Sequence, residues 1–173
     1  MPAQTSRPTV PLVDPTLLRR TTELAIGFLA SLDTRPVAAS AGRDELLAAL
    51  GGPLPRVGMP AVDVIEGLAA AADAGLMGMA GPRYFGFVIG GSLPAALAAD
   101  WLTSTWDQNA GIFAAGPAAS VVEEIVGTWL VDLLGPPKGT SVGLTTGCQM
   151  AHFTCLGAAR HAVLARFDWD VED

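Results

Sequence analysis

From Pro15 onward the prolines of this chain stand at the edges of its apolar stretches and not inside them. A proline in a helix interior costs roughly 3 kcal/mol, so this punctuation divides the chain into helix-length segments. Asp14-Pro15 pairs a side-chain acceptor with a pre-set φ and marks a helix start. Leu17, Leu18, Leu24, Ile26, Phe28 and Leu29 carry that helix to about Leu32, and Arg35-Pro36 stops it. A short helix is expected over Arg43–Leu50, closed by Gly51-Gly52-Pro53. Another begins at Pro60, carries Val62, Ile65, Leu68 and Leu76, and runs out near Gly75–Gly78. The stretch "GPRYFGFVIGGSLP", residues 81–94, mixes aromatic and β-branched residues with repeated glycines and reads as a bent, extended segment. Ser92 is expected to cap the next helix, with Pro94 in its first turn and Ala95–Trp106 following.

After a loop, "DQNAGIFAAGP", Pro117 opens the most regular helix of the chain. Val121, Val122, Ile125, Val126, Trp129, Leu130 and Leu133 recur at helical spacing, while Glu123, Glu124 and Asp132 take other faces. Gly135-Pro136-Pro137 ends it. "SVGLTT", residues 141–146, reads as the one short strand, and helix returns from Gln149 to about Arg166. A lone strand has no partner for its backbone donors and acceptors. A chain whose last residues, "FDWDVED", follow so soon after its first strand-turn-helix unit is therefore expected to be a fragment of a longer α/β protein.

Length and composition set the outer limits. At 173 residues and 50% hydrophobic content, one domain with a real core is expected. A net charge of -7 with no basic cluster argues against a nucleic-acid groove, which needs concentrated Lys and Arg. "MPAQTSRPTVPLVD" lacks the apolar core of a signal peptide and reads as a loose arm over residues 1–13. Leu93–Leu102 is interrupted by Asp100, and no stretch reaches the length of a membrane span. A soluble, cytoplasmic protein is the expectation. Cys148 and Cys155 stand seven apart on one helix, too far to pair.

The chemistry-bearing stretch is "TTGCQMAHFT", residues 145–154. A glycine with small or polar neighbours at a strand-to-helix turn aims a helix N-terminus outward, a common way to hold a phosphate. An ordinary strand-to-helix turn has the same appearance. Cys148 and His152 are four apart on one helical face, which invites a thiol-imidazole pair, although no third, orienting group is identifiable. With Cys155 and His161 they spread over several turns, so no metal site is expected. Trp101, Trp106 and Trp129, with Tyr84, Phe85 and Phe87, are candidates for core or interface anchors.

Three segments in order, "RYFGFVIGGSLPAALAADWL", "GPAASVVEEIVGTWLVDLLG" and "GLTTGCQMAHFTCLGAARHAVL", resemble the pyridoxal-phosphate-dependent group II decarboxylases. The resemblance covers roughly Asp14 to the end of the chain. It implies a mostly α fragment: N-terminal helices over 14–115 that embrace the partner of a homodimer, then the first strand-turn-helix of a type I aminotransferase-like α/β fold over 116–173. It implies pyridoxal 5'-phosphate as cofactor, with Gly147, Cys148 and Gln149 at its phosphate. The substrate, an L-amino acid, would meet Phe87, Val88 and Ile89, and His152 is a further candidate facing the cofactor. Two positions depart from the family pattern, Ile89 where a polar residue is usual and His152 where asparagine is common.

The activity implied is decarboxylation, a carboxy-lyase reaction. The cofactor's lysine, the aspartate at its pyridine nitrogen and the histidine that stacks on it belong to later parts of that pattern. Lys138, the only lysine, matches none of them, so these 173 residues alone are expected to be inactive. Two alternatives stand beside this expectation. One is a non-catalytic helical dimerisation or interaction module derived from the family. The other is an aminotransferase-like enzyme, since related folds serve several reactions.

Overall fold

The computed structural model describes residues 14–169. Among them are six α-helices and one 3-10 turn, and no strand. The helices are α1 (Pro15–Ser31), α2 (Arg43–Leu50), α3 (Ala61–Ala72), α4 (Pro94–Trp106), α5 (Pro117–Leu134) and α6 (Cys148–Ala165), with the 3-10 turn at Asp73–Gly75. The chain is thus mostly helical, as its punctuation predicts. Residues 1–13, expected as an extended arm, lie outside the described residues.

The helix ends follow from local chemistry. Asp14 Oδ1 accepts from the backbone N–H of Thr16 at 2.9 Å and of Leu17 at 3.2 Å, with Pro15 in the first turn. Glu45 reaches back to the Gly42 N–H at 2.8 Å and tethers the start of α2. Gly135 closes α5 in left-handed backbone at φ 64, where its N–H donates to the Val131 carbonyl at 3.1 Å. One expected cap is displaced. Leu93, not Ser92, begins α4, because its carbonyl receives the first helical bond from the Leu97 N–H at 3.0 Å.

The described residues divide into two units, one ending at Ala98 and the other beginning at Ala99, a boundary within α4. In the first unit α1 and α2 both pack on α3. Arg20 of α1 pairs with Glu66 of α3 and, at 2.8 Å, with Glu23. Glu23 first, and then Glu66, raise the Arg20 guanidinium above its usual range, so it stays charged at every ordinary pH. Arg35 stacks on the Phe28 ring at 4.4 Å and donates to Asp73 Oδ1 at 3.1 Å, joining the end of α1 to the 3-10 turn. Backbone bonds from Ser40 and Ala41 to the Ala74 carbonyl, and from Gly78 to Val37, close the unit.

The second unit is built of the larger part of α4, from Ala99, with α5, α6 and the loops beside them. Gly116 is buried where the 107–116 loop turns into α5, and a Cβ there would meet the Asn109 carbonyl oxygen at 2.5 Å. Asn109 Oδ1 in turn accepts from the Gly111 N–H at 3.0 Å.

Two expectations are corrected. "SVGLTT" forms no strand: Val142 lies beside Gly127 of α5, and no other extended segment among the described residues offers it a ladder. Nor does a packed core form. Among the described residues no apolar side chain is buried, and the two buried positions are Gly78 and Gly116. Trp106 and Trp129, expected as core or interface anchors, are 62% and 67% exposed, so they anchor no core within the described residues.

Candidate functional site

The turn into α6 carries the residues that the sequence singles out. Gly147 takes φ 97 and ψ 168, a region essentially closed to residues with a Cβ. A Cβ built on Gly147 would meet nothing within 4 Å, so the backbone angle and not crowding requires glycine here. The Gly147 N–H donates to the Thr145 carbonyl at 2.9 Å, which tightens the turn, and the Gly147 carbonyl accepts from Ala151 at 3.2 Å to start the helix.

No side chain caps α6, and its first turn holds no acidic residue. The backbone N–H groups of Cys148, Gln149 and Met150 therefore have no acceptor among the described residues. All three residues are exposed. Free amides at the positive end of an 18-residue helix are suited to an oxyanion. One turn further on, His152 brings Nε2 to 3.6 Å and Nδ1 to 4.0 Å from Cys148 Sγ. Cys148 and His152 thus share one face of α6, as their i, i+4 spacing predicts, and Gly147 and Gln149 adjoin Cys148 along the chain.

Phe87, Val88 and Ile89 belong to the first unit. The base of their loop is held by Arg83, which donates to the Arg35 carbonyl at 2.6 Å and to the Leu32 carbonyl at 3.3 Å. Tyr84 folds beneath the loop against Gly86, where a Cβ would come within 3.1 Å of the tyrosine oxygen. With Tyr84 turned in, Phe85 and Phe87 point out, 93% and 81% exposed, and Val88 is fully exposed. Phe87 and Val88 have φ 55 and 56 in succession, a costly backbone for an aromatic and a β-branched residue. Nothing in the sequence signalled that backbone.

One feature escaped the sequence reading, a cleft of about 1010 Å³ between α1 and α3. Leu24, Phe28 and Leu68 line it, with Arg20 and Arg35 among its polar groups. Leu24 and Phe28 at i, i+4 form the apolar stripe that faces it, and that spacing was the available signal. Phe87, Val88 and Ile89 do not line the cleft. Among the described residues no group of three or more His, Cys, Asp and Glu side chains could hold a metal ion. No helix among them is long and apolar enough to cross a membrane.

No family model, curated protein or solved structure matches this chain.

Proposed function

We propose that the chain is the N-terminal part of a pyridoxal-phosphate-dependent amino-acid decarboxylase, supplying dimer-forming helices, one wall of the substrate pocket and the turn that holds the cofactor's phosphate. The start of α6 carries this reading. Gly147 in its glycine-only backbone precedes an uncapped helix N-terminus at the position where the sequence resemblance expects the phosphate. The donor set fits a phosphate monoester, because three successive first-turn amides lack acceptors among the described residues and no carboxylate stands in that turn to repel it.

Bound pyridoxal phosphate supplies an electron sink for the pair left behind when the substrate's carboxylate departs. The chain's own residues hold and orient. The amides of Cys148 and Gln149 hold the phosphate, and the exposed Gln149 carboxamide adds a further N–H donor. Phe87 and Val88 present an apolar wall to the amino acid's side chain. Ile89 cannot hydrogen-bond a carboxylate, which favours aromatic or other apolar amino acids over acidic ones. Lys138, in the loop after α5, is not placed by the sequence pattern at the cofactor, so the reading requires a lysine from beyond Asp173.

A second reading is a non-catalytic dimerisation module, supported by the absence of a lysine that matches the family pattern; the lack of a buried apolar side chain among the described residues is expected of either reading. Such a chain works against another body. The protein isolated from its native source separates the two readings by intact mass and visible spectrum. A mass well above 17.7 kDa with bound, coloured cofactor is the outcome expected of the decarboxylase. A mass matching 17.7 kDa without cofactor sinks that reading and leaves the module.

A further inference from the structure

We propose that Cys148 and His152 form a reactive thiol-imidazole pair, a site at which low-molecular-weight disulfides form a mixed disulfide with the protein. The two thiols of the chain supply an internal comparison. Both Cys148 and Cys155 are exposed on α6. Cys148 alone has an imidazole against its sulfur, with Nε2 at 3.6 Å, whereas Cys155 has no such partner among the described residues. Cys148 is also the first residue of α6, at the exposed start of the helix.

The step balances without a further oxidant. A ring nitrogen of His152 accepts the Sγ proton, and the thiolate attacks one sulfur of the incoming disulfide. The old S–S bond breaks as the new one to Cys148 forms, and the departing thiolate takes the proton back from the imidazole. One disulfide is exchanged for another. The adduct then stands at the mouth of the turn whose amides hold the phosphate, so thiolation and phosphate occupancy exclude one another. That consequence rests on the function proposed above; the exchange itself does not.

The test is to incubate the full chain with glutathione disulfide, quench with acid and follow each cysteine's peptide by mass. Cys148 is expected to react at least about tenfold faster than Cys155. The His152→Gln variant is expected to bring Cys148 to within about twofold of Cys155. Equal rates in the unsubstituted chain overturn the proposal without reference to any variant, and so does a Cys148 rate that His152→Gln leaves unchanged. Inorganic phosphate, added at increasing concentration, is expected to slow Cys148 and leave Cys155 unaffected. Fast Cys148 exchange that phosphate does not slow keeps the thiol pair and removes the phosphate turn, so the two ideas fail separately.

Discussion

Gly147 shows how much a single residue decides here. Its φ of 97 and ψ of 168 let the chain turn sharply out of "GLTT" and straight into α6. Gly147→Ala is expected to cost about 1–3 kcal/mol, the usual penalty for that backbone region. The fraying it causes is read as faster amide exchange at Ala151, whose N–H bonds to the Gly147 carbonyl. Unchanged protection at Ala151 would show that the turn tolerates a side chain. Gln149 tests the chemistry of the same turn. If the turn holds the phosphate as proposed, Gln149→Glu places a negative charge beside it and is expected to weaken pyridoxal phosphate binding to the protein from its native source about tenfold, roughly 1.4 kcal/mol. An unaltered dissociation constant by fluorescence titration would put the cradle elsewhere. The turn at Gly147 was legible in the sequence because a glycine before a helix start is a local signal. The succession of left-handed Phe87 and Val88 was not, since neither residue type favours that backbone.

At the scale of the element, the helices are fixed by their ends. Asp14 satisfies two first-turn amides of α1, and Asp14→Ala is expected to lower stability by about 1 kcal/mol. Thermal melts followed by helix content check this, and an unchanged midpoint would show that α1 is held by its packing on α3 alone. The segment 141–146 has the opposite character. Its β-branched and apolar residues suit a strand, yet a strand exists only as a rung in a ladder, and among the described residues Val142 instead lies beside α5 at Gly127. The expected first strand of an α/β sheet is therefore irregular chain here. α4 shows the limit of local reading at finer grain: Pro94 located the helix, but the backbone gave the cap position to Leu93 rather than to the better capping residue, Ser92.

For the whole molecule the governing fact is surface. A chain that is 50% hydrophobic, with no buried apolar side chain among its described residues, keeps Trp106, Trp129, Phe85 and Phe87 in solvent. Exposed apolar area on that scale drives association or dye binding. The isolated 173 residues are accordingly expected to bind a hydrophobic dye or to self-associate, as read by fluorescence and by sedimentation. A monomer that binds no dye would contradict the exposure described here. Among the described residues neither of the two units, divided between Ala98 and Ala99, buries an apolar side chain, and polar contacts join elements of the first. In the first unit those contacts are Arg20 with Glu23 and Glu66 and Arg35 with Asp73, all at least partly solvated pairs that give orientation more than stability.

The sequence by itself determined where helices begin and end, which residues share the first turn of α6, and that Cys148 and His152 face each other. Helical hydrogen bonds and i, i+4 neighbours lie within a few residues along the chain, so proline, glycine and capping side chains suffice to set them. Only the tertiary structure decided that "SVGLTT" finds no ladder, that a cleft opens between α1 and α3, and that the tryptophans remain exposed. Those outcomes depend on what distant segments bring alongside, and pairing and burial have no local code.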